Sequence, residues 1–279
     1  MGMFSRSWHV TKLSFRTLRK DKEMLLFPIL GGVFSLLFLI AMVIPTSLWA
    51  NISNNSLIIG DYVLLFIMYL GLGFIATFFN VCTVFTAKTR FEGKNASFAD
   101  SISFALSKIG KIFAWSMVSA TVGILLRLLD HLAEKLGSAG KIAMKIFNSV
   151  LGAAWSILTI FVVPSMVYEN IGPIDAMKKS IKTLKHTWGD LLVKGITMGL
   201  IQFMFILLGI GVTVGLIMLA SDLFMYIMIA LVVYMVLLFL IFNVANTIFN
   251  TALYHFATTG KAPEGFDTQT LKGALKHKK

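Results

Sequence analysis

The sequence predicts an all-α polytopic membrane protein: six transmembrane helices in three hairpins, with basic amphipathic helices on the cytoplasmic face. Three observations predict it. Apolar side chains make up 57% of the 279 residues against 14% charged, more than a soluble core hides. Six apolar runs reach or approach the roughly 20 residues that cross a hydrocarbon core about 30 Å thick. Of the 25 lysines and arginines, 21 fall in alternate segments between those runs, the bias that keeps a segment cytoplasmic. Lipid offers no partner to unpaired backbone groups, and the alternating pattern of barrel strands is missing, so the spans are helices.

Before the first span, Phe4, Trp8, Phe15 and Leu18 fall on one side of a helix and Arg6, Lys12, Arg16 and Arg19 on the other. Met24–Ile44 follows as a retained span, too long for a signal core and lacking an A-x-A site. The connection 45–61 carries no basic residue, and Tyr62–Ala87 returns the chain to the basic side. Lys88, Arg90, Lys94, Lys108 and Lys111 then precede the third span, Ile112–Leu129. Arg127, Lys135, Lys141 and Lys145 are the basic residues on the far side, and Ile146–Tyr168 is the fourth span. Lys178, Lys179, Lys182, Lys185 and Lys194 lead into Gly195–Ala220; Ser221-Asp222 is a tight turn, with one of the two capping the sixth run, Leu223–Tyr254. That run of 32 residues should project beyond the bilayer as helix. Both termini are therefore read as cytoplasmic, in a multi-pass plasma (inner) membrane protein.

The basic segments repeat a pattern. Met177, Ile181, Leu184 and Trp188 fall at i, i+4, i+7 and i+11, opposite Lys178, Lys182 and Lys185. Seventy-five residues upstream, Ile102, Leu106, Ile109 and Phe113 have the same spacing. Ser97-Phe98-Ala99-Asp100, a capping box, aligns with Gly172-Pro173-Ile174-Asp175, which has proline at the first helical position. The chain reads as one membrane domain, 1–279. It is built of pseudo-repeats 1–87, 97–168 and 172–254 and a cytoplasmic tail, 255–279, whose Leu271, Ala274 and Leu275 oppose Lys272, Lys276 and Lys279. Each unit is a basic amphipathic helix followed by a hairpin, related to the next by rotation about the membrane normal.

Two segments carry a family resemblance: Leu18-Arg19-Lys20-Asp21-Lys22-Glu23-Met24-Leu25-Leu26-Phe27-Pro28 and Ala252-Leu253-Tyr254-His255-Phe256-Ala257-Thr258-Thr259-Gly260. With Phe161-Val162-Val163-Pro164 and the stretch 169–180, they resemble an uncharacterised bacterial and archaeal six-span family. That family is distantly similar to the membrane domain of some glycerophosphodiester phosphodiesterases. The resemblance covers essentially the whole chain and implies the six-span fold. No phosphodiesterase domain accompanies it here, so that chemistry is not implied.

Which residues carry function? Asp100 and Asp175 recur where a span hands over to an amphipathic helix, as do Glu92 and Glu169. Recurrence favours helix capping and neutralisation of lysines over a catalytic pair. The net charge of +12 points to anionic lipid and topology rather than nucleic acid. Arg16, Arg19, Lys108, Lys111, Lys178, Lys179, Lys182 and Lys185 are the expected lipid contacts, in a collar of interfacial helices. Asn80, Thr83, Gln202, Asn243, Asn246 and Asn250 supply buried amides and hydroxyls, read either as interhelical hydrogen bonds or as a polar vestibule for a small, anionic solute. The pairs Gly195/Gly199 and Gly211/Gly215 permit close helix contact, within the chain or between subunits of a homo-oligomer. Arg127 and Asp130 are read as a surface ion pair. Cys82 is alone and the five histidines are scattered, so no disulfide, metal or cofactor is expected. No spanning carboxylate, nucleophile–base set or phosphate loop is visible. Two functions remain: a non-enzymatic lipid-associating or membrane-organising protein, and a channel or facilitator.

Overall fold

A computed structural model describes residues 13–15, 17, 18, 21–52, 58–187, 191–264 and 266. Among these the regular structure is helical, and six segments are long and apolar enough to cross a membrane. After a 3-10 turn, Lys22–Leu25, the helices are α1 (Leu26–Ile52), α2 (Ile58–Phe91), α3 (Phe98–Ser107), α4 (Ile109–Glu134) and α5 (Ser138–Leu158). They continue with α6 (Val162–Glu169), α7 (Pro173–Thr187), α8 (Leu191–Leu219) and α9 (Phe224–Thr259). The protein is thus an all-α multi-pass membrane protein. At 1.5 Å per residue the 36 residues of α9 extend about 54 Å, well beyond a bilayer core.

The chain forms two compact units. One comprises residues 29–85 and 97–182; the other comprises 1–28, 86–96 and 183–279.

In the first unit the helices pack by seating aromatic rings in glycine notches. The Phe38 ring of α1 lies against Gly71 of α2, where a methyl group has no room, and Tyr69 of α2 lies against Gly123 of α4. Lipid tails are as apolar as leucine, so burial alone does not bring such helices together; close van der Waals contact does. Asn148 of α5 donates from Nδ2 to the Leu126 carbonyl of α4 at 3.0 Å. Trp115, Val162, Met166 and Ala176 form a buried cluster, with Trp115 and Trp155 stacked at 5.8 Å.

In the second unit α8 and α9 run as an antiparallel pair. Tyr234 of α9 fills the notch at Gly209 of α8 and donates its hydroxyl to the Phe205 carbonyl at 2.8 Å. The start of α1 is fixed to the end of α2 by Arg90, whose guanidinium grips both carboxylate oxygens of Asp21 and reaches Asn95 at 3.1 Å. Phe91 packs edge-on against Phe266 and near the His255 ring, at 5.7 and 6.3 Å. The two segments that carry the family resemblance thus meet the end of α2 from opposite ends of the sequence.

Several expectations need correction. The fourth apolar run is not one helix: it begins at Ser138, stops after Leu158 and restarts at Val162. Pro164 lacks the N–H that would bond the Ile160 carbonyl, and its ring crowds that turn. The chain tightens there, with Ile160 N bonding Ile157 O and Val162 N bonding Thr159 O, three residues back. Neither Ser221 nor Asp222 caps the sixth span. A 3-10 turn, Ser221–Leu223, leads into α9, and its Leu223 amide bonds the Ala220 carbonyl, so no side-chain cap forms. Arg127 and Asp130 form no ion pair among the described residues; a solvent-exposed pair gains too little to order two side chains.

The apolar stripes of α3, the start of α4 and α7 divide between buried and outward-facing residues. Ser101, Ala105 and Ile112 are buried, while Leu106, Ile109 and Phe113 are exposed. On α7 the buried residues are Ala176, Ser180, Thr183 and Leu184, with Met177 and Ile181 half-buried. Small Ser101, Ala105, Ala176 and Ser180 face protein together with Ile112 and Leu184, while Leu106, Ile109 and Phe113 face outward, and small residues at helix contacts are what a lipid surround favours.

Candidate functional site

The handover from α6 to α7 is tied by side chains from three helices. α6 ends at Asn170, the one non-glycine residue with a positive φ, 54°, among the described residues. Asparagine tolerates that left-handed conformation better than most residues. Lys111 holds it from α4, donating to the Asn170 carbonyl and, at 2.8 Å, to its Oδ1. Glu169 pairs with Lys179 at 2.9 Å, both about one-third exposed. α7 then starts at Pro173, as expected, with Asp175 in its first turn.

The break in the fourth span is closed by a side chain from α7. Ser180 is fully buried. Its hydroxyl donates to the Leu158 carbonyl at 2.6 Å and accepts from the Phe161 amide at 3.2 Å. Both backbone groups flank the interruption, and one hydroxyl bonds both.

The opposite face of α7 is basic. Lys178, Lys182 and Lys185 recur at i, i+4 and i+7 and are exposed, about half a turn away from Ala176, Ser180 and Thr183. Lys182 and Lys185 have no partner among the described residues. Lys178 touches Asp175 at 3.4 Å, but the two side chains are 72% and 68% exposed, so the contact is weak. Ile174 is exposed beside them.

The expected collar is therefore uneven. Lys179 and Lys111 are engaged by Glu169 and Asn170. Lys108, half-buried, lies 5.4 Å over the Phe104 ring, which itself stacks on Phe85 at 4.2 Å. Arg16 and Arg19 lie outside the described residues, as do Trp188 and the amphipathic tail 271–279. The expected capping box is present: Ser97 Oγ accepts from Asp100 N at 3.1 Å and the Asp100 carboxylate accepts from Ser97 N at 2.9 Å. Both Ser97 hydrogen bonds, side chain first, hold the Asp100 carboxyl below its ordinary range. Glu92 approaches Lys88 at 3.9 Å, so both handover glutamates do offset lysines.

The polar-vestibule residues are distributed over both units. In the first, Asn80 is exposed, and buried Thr83 spends its hydroxyl on the Phe79 carbonyl at 3.0 Å, within its own helix. In the second, Asn243 and Asn246 are exposed and Gln202 and Asn250 half-buried. Among the described residues nothing lies within 4 Å of a Cβ placed at Gly199, Gly211 or Gly215, and the Tyr234 ring of α9 enters at Gly209. The surroundings of Gly195 lie outside the described side chains.

Sequence reasoning missed Ser180, Asn170 and the Asp21–Arg90 pair. The last had a signal, since Arg90 is the single arginine among the lysines between spans two and three, and only arginine grips a carboxylate two-handed. A model of a family of unknown function, DUF6159, matches residues 59–266. The chain belongs to that family. The match runs from the start of α2 to Phe266 and includes α7, Ser180 and the break. No curated protein matches the chain.

Proposed function

We propose that this DUF6159 member is a non-enzymatic membrane protein that holds anionic phospholipid on the outward face of α7. One observation supports the reading: α7 buries its small-residue face while Lys178, Lys182 and Lys185 stand exposed on the other, two of them without a partner among the described residues. A basic residue near an anionic leaflet contributes about 1 kcal/mol, and lysine stems lie along an interface while their ammonium groups reach headgroups. The basic side is taken as cytoplasmic from the charge bias of the loops. Replacing the three lysines with glutamine should cut retention of anionic phospholipid in native mass spectrometry, with topology intact. Equal retention by both proteins would discard the reading.

A second reading, a facilitator for a small solute, draws on the exposed amides of Asn80, Asn243 and Asn246. Counting 1.5 Å per residue, Asn243 lies 19 residues past Phe224, or about 29 Å along α9, at the inner edge of a bilayer core. Amides at that depth contact headgroups as readily as a vestibule, which is why lipid association is preferred. Glycerol or phosphate flux into proteoliposomes that falls in Asn243→Leu and Asn246→Leu would reverse the preference. The open surroundings of Gly199, Gly211 and Gly215 leave room for a second copy; a loss of apparent size in Gly211→Leu would reveal one.

A further inference from the structure

The geometry points to Ser180 as a latch that couples the position of α7 to the shape of the fourth span. This rests on the lipid reading of α7 for its physiological input, but the latch itself does not.

In an uninterrupted helix the Phe161 amide would bond Ile157 O, and Leu158 O would accept from the Val162 amide. Here Ile157 O is taken by the Ile160 amide, and the Val162 amide bonds Thr159 O. The Ser180 hydroxyl stands in for both missing ladder partners, 3.2 Å from Phe161 N and 2.6 Å from Leu158 O. Withdrawing it removes one hydrogen bond from each of these two backbone groups and favours their return to the helical ladder, which draws α5 and α6 toward a continuous, proline-kinked helix. The span therefore has two hydrogen-bonding arrangements, selected by one hydroxyl on a neighbouring helix. Such a two-state element converts a small displacement into a discrete change.

The same helix carries the load. Lys178 and Lys182 lie two residues either side of Ser180 and point away from it. A rigid helix transmits a rotation or slide at those lysines directly to the hydroxyl. Hydrogen bonds weaken steeply with distance and angle, so a movement of about 1 Å at Ser180 is enough to release the Phe161 amide, the longer of the two contacts. The Trp115–Trp155 stack and Met166, packed around Ala176, hold α7 against the break on its buried side. Ser180 is thus a positioning residue: it has no expected contact with lipid, and acts through the backbone of another helix.

The test uses the full chain in nanodiscs, with Cys82→Ala and spin labels on cysteines replacing the exposed Lys145 of α5 and Ile174 at the start of α7. Distances are compared in phosphatidylcholine and in phosphatidylglycerol, and lipid retention is read on the same labelled protein. The expected result is a shift of about 2 Å between the two lipids, the scale of a helix moving between packed states. It should vanish in Lys178→Gln/Lys182→Gln and in Ser180→Ala, and persist in Ser180→Thr, which keeps the hydroxyl. If anionic lipid is retained through the lysines but the distance ignores it, or Ser180→Ala responds as the natural protein does, the coupling is overturned while the lipid reading stands. If retention does not depend on the lysines, the lipid reading fails, and phosphatidylcholine alone decides the latch. A distance in Ser180→Ala equal to that in the natural protein overturns it; a shift that Ser180→Thr does not share supports it. Should Ser180→Ala not fold, the lipid response of the natural protein against the double-lysine variant still decides the coupling.

Discussion

The handover into α3 and the handover into α7 do the same job by different means. α3 is closed locally: Ser97 and Asp100, three residues apart, satisfy each other's backbone amides, and the helix ends after ten residues at Lys108. α7 is closed by distant partners. Lys111 holds Asn170 from 59 residues away, and Ser180 bonds backbone 19 and 22 residues back. A local closure makes an independent cap. A distant closure makes α7 part of the span that precedes it, so that whatever moves the helix moves the span.

The largest expected effect comes from breaking the distant closure. Ser180→Val fills a fully buried site with a bulkier side chain and removes a hydrogen bond from each of two backbone groups, for about 2–4 kcal/mol of stability. Denaturation in mixed micelles measures it. A cost near zero would mean that the fourth span closes its own backbone. Next is Asn170→Val, which forces a β-branched residue into the left-handed region and removes one of two acceptors for Lys111, for about 1–2 kcal/mol. Asn170→Gly should be much milder, because glycine accepts that φ and the backbone carbonyl still receives Lys111.

At the local closure the effects are smaller. Ser97→Ala should cost about 1 kcal/mol, the usual loss of an N-cap, and leave the α7 region untouched, which hydrogen exchange over 158–187 checks. Acidification should act on the same box. The folded Asp100 carboxyl lies below its ordinary range, so its contribution is present above the ordinary carboxylate pKa and fades as pH falls through the lower folded value. Protection of α3 amides should decline over that window in the natural protein and not in Asp100→Asn. A decline of equal size in both would assign it to another group.

The same contrast explains what the sequence reveals. The spans are legible because a bilayer demands long apolar runs, and the capping box because its partners are three residues apart. Pro164 is visible, yet a proline inside an apolar run does not say whether the helix merely bends or stops. Ser180 reads as a polar blemish on an apolar stripe, since nothing local marks its partners. The stripes show an apolar side but not which small neighbours are buried: Ser101, Ala105, Ala176 and Ser180 are buried, while Leu106 of α3, Ile109 of α4 and Ile174 of α7 face out. The lysines are legible as a set but not individually. Lys111 and Lys179 are held by Asn170 and Glu169, whereas Lys182 and Lys185 have no partner among the described residues.

That last difference gives the most direct test of the central claim, that anionic lipid is held by the outward face of α7 rather than by a uniform basic collar. Native mass spectrometry should compare the natural protein, Lys108→Gln/Lys111→Gln and Lys178→Gln/Lys182→Gln/Lys185→Gln, each purified with a mixture of phosphatidylglycerol and phosphatidylcholine. The expected result is that the α7 variant loses most of its preference for phosphatidylglycerol while the first variant keeps it. Equal losses per lysine in the two variants, or no loss from the α7 set, would contradict the account.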